Sequence, residues 1–308
     1  MKDVIQPVPK EKIKNELTRD KFLRYTNYGG NELYVVTHHD SPNLMKEIGR
    51  LRELTFRQAG GGTGKEIDTD SFDTCEEPYY QLIVWDPGVE ELMGGYRYKI
   101  CNHQTDPKRL ATYKLFDFSD KFVKDYLPYT IELGRSFIQP SFQSTGSVKK
   151  TVYALDNLWD GLGALVVDNP ECKYFFGKVT MYPHFNQKAR DLILHFLDKE
   201  FINGRHLVSP KKAEPKHTPE EELEKILNGE TYLENKRILS KAVRLLGENI
   251  PPLINAYMNL SRTMSIFGTA VNIPFGNVEE TGIMIVVKDV YPEKVERYIE
   301  SYKKQKNQ

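Results

Sequence analysis

One segment of the sequence, 129–138, combines an apolar run with two side chains that could do chemistry. Glu132 and Arg135 interrupt a stretch that otherwise favours a buried β-strand. In a regular strand these side chains face opposite sides, whereas a bulge at Gly134 would re-aim one of them and leave a backbone N–H unpaired. A free N–H can polarise a thioester carbonyl, and a carboxylate can accept a proton from an attacking amine. The segment therefore fits acyl transfer, and it fits a buried structural ion pair equally well.

A second set of charged residues lies upstream of this segment. Its members are arginines and aspartates on a predicted helix, in the loop after it and on a predicted strand: Arg52, Asp68, Asp70, Asp73 and Arg97. If folding brings them together, the acids could bind an ammonium group and the arginines a carboxylate, so the set could hold a zwitterion. The alternative is a solvated acidic loop whose exposed ion pairs contribute little. Taken alone, the residues favour that alternative.

Two other motifs indicate no chemistry. The segment 59–66 is glycine-rich like a phosphate-binding loop, but Ala59 and Glu66 replace the glycine and the hydroxyl residue that such a loop needs, and a helix precedes it. We expect a mobile or substrate-gating loop there. The seven histidines have no metal-site spacing, and Cys172 has no histidine in an obvious partnering position. Neither a metal centre nor a cysteine nucleophile is predicted.

The elements that must position these residues follow from hydrophobic periodicity and turn signals. Strands are predicted at 31–37, 79–85, 92–100, 129–138, 174–182, 265–273 and 282–288. Helices are predicted at 10–25, 42–58, 147–167, 187–201, 219–227, 232–260 with a break at its two prolines, and 292–302. Strands alternate with helices in the middle and form hairpins at both ends. This order is typical of an α/β fold with a mixed sheet and helices on both faces.

The same elements predict how the chain is organised. The predicted parts are an N-terminal helical extension (1–30), the core (31–202), a helical insertion (203–262), and C-terminal strands with a helix that complete the core (263–308). The insertion separates the last two strands from the rest of the sheet. We expect it to cover one end of that sheet.

Composition limits the class of protein. Lys plus Arg and Asp plus Glu number 43 each among 308 residues, and this balance argues against a general nucleic-acid binder. The three cysteines form no CxxC pair, so neither a disulfide framework nor a zinc site is expected. The sequence has no secretory signal and no apolar run of about 20 residues. A cytoplasmic protein is predicted, and peripheral contact with a membrane stays open.

The segment around Glu132 resembles a known family. Glu132-Leu133-Gly134-Arg135-Ser136 followed by Pro140 is similar to the signature of the ornithine- and glycine-lipid N-acyltransferases, which are haemolysin-type members of the acetyltransferase-like superfamily. The resemblance covers roughly 30–300. It also takes in 51–53, 95–97, 156–162, 176–180 and 250–257. It implies a GNAT-like fold, with a mixed central sheet and a helical insertion before the last two strands.

The charged residues also resemble those of acyl-homoserine-lactone synthases, which likewise acylate an amine. The two resemblances together imply catalytic roles for Glu132 and Arg135, with Glu132 as the proton acceptor. They imply substrate-binding roles for Arg52, Asp68, Asp70, Asp73, Arg97, Ser136 and Phe137. Backbone N–H groups near Phe137 would stabilise the oxyanion. No metal and no cofactor are implied, and acyl carrier protein or coenzyme A would serve as co-substrate.

The resemblance also bears on the acyl donor. Acetyltransferases that bind coenzyme A carry a Gln/Arg-x-x-Gly-x-Gly/Ala turn, and Val148 breaks this pattern in 143–148. An acyl carrier protein is therefore the favoured donor, with its phosphopantetheine arm between the strands at 129–138 and 174–182. Because a carrier protein is acidic, a basic patch should receive it. The candidates are Lys149, Lys150 and Lys178, with Lys188 behind them.

These observations lead to one predicted function and two alternatives. The prediction is an N-acyltransferase that moves a long-chain acyl or 3-hydroxyacyl group from acyl carrier protein to the amine of glycine or ornithine in aminolipid synthesis. The first alternative is a coenzyme-A-dependent acetyltransferase acting on a small amine. The second is a haemolysin or lipid-binding protein without catalytic activity, for which the sequence lacks an amphipathic membrane helix or a barrel pattern.

Overall fold

The computed structural model describes residues 1–143 and 148–307, and for 148–152 it describes the backbone alone. The strands are β1 (Phe22–Tyr25), β2 (Glu32–Val36), β3 (Tyr80–Asp86), β4 (Glu91–Ile100), β5 (Phe116–Phe118), β6 (Thr130–Ile138), β7 (Tyr174–Met181), β8 (Ile202–Asn203), β9 (Val208–Pro210), β10 (Ser265–Asn272) and β11 (Val278–Val286). The helices are α1 (Lys10–Lys14), α2 (Pro42–Gln58), α3 (Ser71–Thr74), α4 (Asp120–Asp125), α5 (Val148–Asp168), α6 (Gln187–Glu200), α7 (Glu220–Ile226), α8 (Tyr232–Leu245), α9 (Pro252–Met258), α10 (Pro292–Lys294), a π-helical segment Val295–Glu300, and α11 (Ser301–Lys306).

The chain forms two compact units, each built from separate stretches of sequence. The first unit comprises Met1–Cys101, Thr130–Lys173 and Tyr291–Gln308, and the second comprises Asn102–Tyr129 and Tyr174–Val290. The predicted boundaries at 30, 202 and 262 do not coincide with these units. The predicted core 31–202 contributes to both of them, because the chain passes from the first unit to the second and back before β7.

The first unit contains an antiparallel sheet in the order β1-β2-β3-β4-β6. Helices α2 and α5 cover its opposite faces. Arg52 of α2 donates to Gln81, whereas α5 approaches the neighbouring Leu82, and successive residues of a strand point to opposite faces. A Cβ at Gly161 of α5 would lie 2.4 Å from the Leu82 side chain, so this close approach requires glycine. The predicted arrangement of helices on both faces is confirmed for this unit.

Helix α2 carries the first functional side chain toward the sheet. It begins with Pro42 in its first turn, where proline suits the fixed backbone angle. Leu44, Ile48 and Leu51 recur at helical spacing and are buried against the sheet. Arg52 and Glu53 follow on the same helix and are also buried. Apolar packing therefore fixes where these two charged groups lie.

Within the second unit, the strands follow the order β7-β11-β10-β8. The pairs β7–β11 and β11–β10 are antiparallel, and β8 runs parallel to β10. A separate ribbon pairs β5 with β9. Its core contains aromatic rings in mutual contact: Phe118, Phe122, Phe176 and Phe267. The predicted α/β class is thus confirmed, since both units pack helices and sheets together.

Three predicted elements differ from the structure. The helix expected at 10–25 ends at Lys14, and Phe22–Tyr25 instead forms β1, the edge strand beside β2. The first 30 residues are therefore not a purely helical extension. The expected helical insertion 203–262 also contains β9, which pairs with β5. The last strand begins at Val278 rather than at 282.

The helices were also considered as membrane spans. Among the residues that the structure describes, none of the helices combines the length and the apolar character needed to cross a bilayer.

Candidate active site

A row of polar positions crosses one face of the first unit's sheet. Gln81 of β3 pairs with Arg97 of β4, which pairs with Gly134 of β6. One step along, Lys99 of β4 pairs with Glu132 of β6. Directly paired residues of an antiparallel sheet share a face, so all five positions lie on the side of the sheet that α2 covers.

Glu132 is held in this row by a tyrosine from outside it. The Tyr79 hydroxyl donates a hydrogen bond to Oε2 of Glu132, and only 1% of Glu132 is exposed. Tyr79 is itself fixed, because its backbone N–H donates to the Phe72 carbonyl at 2.7 Å. A buried carboxylate with a fixed donor keeps one orientation.

A bulge interrupts β6 immediately after Gly134. Arg97 pairs with Gly134 and Gly95 pairs with Phe137, so Arg135 and Ser136 together face the single residue Tyr96. Arg135 has a left-handed backbone, with φ of 51°. A non-glycine residue in this region is strained and persists where its surroundings impose it. The bulge that the sequence made possible at Gly134 is present, and its left-handed residue is Arg135.

The bulge re-aims the Arg135 side chain toward the acidic loop. Its Nε lies 2.8 Å from Oδ2 of Asp68, and its Nη2 lies 3.8 Å from Oδ2 of Asp70. Asp68 is only 1% exposed. The sequence could not settle whether Glu132 and Arg135 pair with each other, and the structure gives each of them a different partner.

The spacing of Asp70 and Asp73 serves a local purpose. The Asp70 side chain accepts from the Phe72 N–H, and the Asp73 side chain accepts from the Asp70 N–H at 3.1 Å. Together these bonds form a capping box at the start of α3. The acidic loop is therefore ordered, and both carboxylates point inward from a fixed backbone.

The predicted charged set does meet in the folded chain. Arg52 lies 3.3 Å from Asp73, and Arg97 lies 2.7 Å from Asp70 and 3.2 Å from Asp73. Burial alone would raise the pKa of Asp73, but Arg52 and Arg97 outweigh burial and hold that pKa below its ordinary range. With Arg135 on Asp68, three arginines neutralise three aspartates. The solvated-loop alternative is wrong for these residues.

Glu53 organises the glycine-rich loop after α2. Its carboxylate accepts from the backbone N–H groups of Thr63 at 3.0 Å and Gly64 at 2.7 Å, and from the Thr63 hydroxyl. Burial would raise the pKa of Glu53, but these bonds and Arg57 lower it. These bonds tie the loop, which the sequence predicts to be mobile or substrate-gating, to α2.

Metal binding was tested on the same residues. Across 1–143 and 148–307, no three His, Cys, Asp or Glu side chains are grouped in a way that could hold a metal ion. The arrangement instead offers a fixed buried carboxylate, Glu132, beside a disrupted strand. These are the parts that proton transfer and carbonyl polarisation need.

Comparison with known proteins identifies the family. The model of the acetyltransferase (GNAT) domain matches residues 51–152. The glycine N(alpha)-acyltransferase of Phocaeicola vulgatus is 53% identical over 309 residues, which cover 99% of this chain and 95% of that protein. The glycine N(alpha)-acyltransferase of Bacteroides thetaiotaomicron is 52% identical over 306 residues, covering 98% and 91% respectively. The chain belongs to this acyltransferase family. No solved structure matches it.

Membership of this family confirms several predictions. The protein is an enzyme, an N-acyltransferase that acts on an amine, and its fold is GNAT-like. The non-enzymatic interpretation as a haemolysin or lipid-binding protein gains no support from these relatives. The roles assigned to individual residues stay predictions.

The remaining predicted site residues of this acyltransferase lie in different surroundings. Phe137 is buried in β6, and Ser136 is half-buried within the bulge. Lys178 is half-buried, with its Nζ 3.2 Å from Oε2 of Glu280 in the second unit, so its charge is already paired. The side chains of Lys149 and Lys150 lie outside the described residues, as does the 144–147 part of the predicted coenzyme A turn.

Sequence reasoning missed three residues on the site face: Tyr79, Gln81 and Lys99. Gln81 bridges the network, donating to Asp73 at 3.0 Å and accepting from Arg52. A signal for it did exist, because strand alternation in the predicted hairpin places Gln81 and Arg97 on one face. Tyr79 opens the predicted strand at 79–85, so the same alternation places it on the face of Gln81, although the observed strand begins one residue later.

Proposed function

We propose that this acyltransferase moves a long-chain acyl group from the thioester of an acyl carrier protein to the amine of glycine. Both relatives that cover nearly the whole chain are named glycine N(alpha)-acyltransferases, which supports glycine as the acceptor. The broken coenzyme A turn at Val148 supports a carrier-protein donor. The proposed product is an N-acylated glycine, an amphiphile of the kind that aminolipid synthesis uses.

The observation that carries this proposal is Glu132 beside the bulge. Its carboxylate is buried and held by Tyr79, and it lies on the same face as Gly134. A Cβ at Gly134 would meet nothing within 4 Å, so the same sheet face has open space two residues along β6 from Glu132. The space is left by the missing side chain of Gly134, so it is small. It therefore favours a small acceptor over a large one.

The proposed reaction uses these parts in one addition and one elimination. The neutral amine of glycine attacks the thioester carbonyl carbon, and Glu132 accepts the proton that the amine loses. Backbone N–H groups near Phe137, after the bulge, stabilise the negative oxygen of the tetrahedral intermediate. The C–S bond then breaks, and Glu132 gives the proton it accepted to the carrier thiolate, which leaves as a thiol. The arginine–aspartate network keeps the acidic loop and Arg135 fixed during these steps.

A direct assay tests the proposal. Purified enzyme is supplied with an acyl carrier protein thioester or a coenzyme A thioester, with glycine or ornithine as acceptor, and N-acyl products are identified by mass. We expect N-acylglycine from the carrier-protein donor. Turnover of acetyl-coenzyme A without use of the carrier protein would support the acetyltransferase alternative and overturn the proposed donor.

A matched pair of variants tests the proton acceptor. Glu132→Gln keeps shape and removes basicity, so kcat should fall by roughly 100-fold or more with the fold intact. Glu76→Gln removes an exposed acid from the same loop region and should leave kcat unchanged. A Glu132→Gln enzyme that acylates glycine at the normal rate would show that the base is another group.

A further inference from the structure

Lys99 is a cationic side chain on the face of the sheet that carries the proposed site. It lies on β4 directly opposite Glu132 of β6, and the register is regular from this pair to the Arg97–Gly134 pair. Opposed residues of an antiparallel pair have Cβ atoms roughly 5 Å apart. The Lys99 side chain therefore emerges beside Glu132 and next to the open space at Gly134.

Among the described residues, the Lys99 ammonium is held by a backbone carbonyl rather than by a carboxylate. Its Nζ lies 3.3 Å from the backbone carbonyl of Glu77, and no carboxylate lies within 4.0 Å of it among the described residues. The arginines on this face differ, because Arg52, Arg97 and Arg135 are each held by an aspartate. The aspartates already balance the charges of these arginines. Lys99 is half-buried and has no such partner in the described part of the chain, so it can bind an anion.

The buried thiol of Cys101 lies in the same region as the two charges. Burial raises the pKa of Cys101, Glu132 raises it further, and the Lys99 ammonium opposes both effects. Cys101 follows β4, and its Sγ lies 3.9 Å from the Lys99 carbonyl. Both charges therefore act on the same small volume at the end of β4.

An α-amino acid carries its amine and its carboxylate on the same carbon. If the amine faces Glu132, the carboxylate lies within a few ångströms of it, and a cation is needed at that distance. We propose that Lys99 binds the carboxylate of the acceptor and thereby selects an amino acid over an uncharged amine. This inference rests on the proposed function and deepens it. On binding, Lys99 exchanges the neutral Glu77 carbonyl for a charged and stronger acceptor.

The test compares two acceptors that differ only in charge. Glycine and glycinamide have the same amine on the same carbon, but glycinamide has no carboxylate. For Lys99→Met, kcat/KM for glycine should fall roughly 10- to 100-fold, as expected when a bond to a charged group is lost. The value for glycinamide and the KM for the acyl donor should stay unchanged. The ratio of kcat/KM for glycine to kcat/KM for glycinamide is compared between enzymes. The intrinsic reactivity of each amine therefore cancels.

Two further variants sharpen this experiment. Lys99→Arg keeps the positive charge and should retain most of the preference for glycine. Lys46→Met, which removes an exposed lysine from α2, should leave the preference at the wild-type value. Lys99→Gln repeats the test with a polar side chain in case methionine disturbs folding.

The outcomes separate the two proposals. If wild-type enzyme acylates glycine and Lys99→Met keeps the wild-type ratio of glycine to glycinamide, the assignment of Lys99 is overturned and the proposed function stands. An equal loss for both acceptors also overturns it. If the wild type acylates no α-amino acid, the proposed function fails, and the assignment of Lys99 fails with it.

Discussion

The hydroxyl of Tyr79 donates a hydrogen bond to the carboxylate of Glu132, and both side chains are buried in the first unit. Tyr79 immediately precedes β3, whereas Glu132 lies in β6, and β4 separates the two strands. The phenol thus reaches across β4 and holds the carboxylate against the face of the sheet. Tyr79 is a positioning residue for the proposed proton acceptor.

Tyr79→Phe removes this one hydroxyl and keeps the ring that packs against Phe72. Since a hydrogen bond to a charged group contributes about 1.5–3 kcal/mol, kcat should fall roughly 10- to 100-fold. KM for glycine should change little, because in the proposed reaction the acceptor contacts Glu132 and Tyr79 acts only through Glu132. Steady-state kinetics at saturating donor measures both constants. Tyr80→Phe, on the opposite face, is the control, and an equal loss there would contradict the assignment.

Gly134→Ala probes the open space two residues along β6 from Glu132. A Cβ there meets nothing within 4 Å, and Gly134 has no left-handed backbone, so the variant should be at least as stable as the wild type. The added methyl group would occupy the acceptor's space, so kcat/KM for glycine should fall roughly 10-fold or more. Thermal unfolding and acceptor kinetics measure the two effects.

A second glycine provides the contrast for this prediction. A Cβ at Gly95 would lie 2.7 Å from the Leu82 carbonyl, so Gly95→Ala should lose activity through loss of stability. Gly134→Ala should lose activity while remaining folded. A Gly134→Ala enzyme with wild-type kinetics would show that the acceptor binds elsewhere.

The regular elements and the charged set could be predicted because they depend on local patterns. Alternation and helical spacing located β3, β4, β6 and α2 to within a few residues. The residues alone did not favour a site formed by the charged set. The family resemblance was needed to predict that these residues lie together. Side-chain charge does not reveal burial, and the segments that separate these six charged residues along the chain can fold in many ways.

Other features depend on long-range register and could not be predicted. The edge strand β1 contains Arg24, which suggested a charged helix, yet Arg24 is buried and donates to the Tyr298 carbonyl at 3.2 Å. That partner lies near the other end of the chain. The left-handed backbone of Arg135 likewise follows from its contact with Asp68 and from the pairing of β4 with β6. Neither feature has a local sequence signal.

The pair of Arg135 and Asp68 should contribute to stability as well as to the site. Asp68 is buried, and Arg135→Met would leave its charge without its closest cation, which should cost about 3 kcal/mol of unfolding free energy. Methionine keeps a Cβ, so the backbone strain at φ 51° is unchanged. Asp68→Asn with Arg135→Met should recover part of the loss. Urea unfolding of the four proteins measures the coupling, and additive losses would mean that the pair does not interact.

His195 of α6 should make stability depend on pH. It is buried in the second unit, neither ring nitrogen has a hydrogen-bond partner among the described residues, and it lines a cavity of about 470 Å³ with Glu220 and Glu224. Burial lowers its pKa below the ordinary 6.5, and the nearby Lys216 lowers it further, although Glu220 and Glu224 oppose this.

The sign of the pH effect follows from the lowered pKa. The unfolded chain binds the His195 proton more tightly than the folded protein does, so the contribution to stability is complete above the unfolded pKa and is lost as pH falls through the folded one. Stability should therefore decrease from pH 7.5 toward pH 5. His195→Leu should decrease less over that range, while His206→Leu, at an exposed position, should follow the wild type. Urea unfolding at several pH values measures this, and identical slopes for wild type and His195→Leu would exclude His195 as the source.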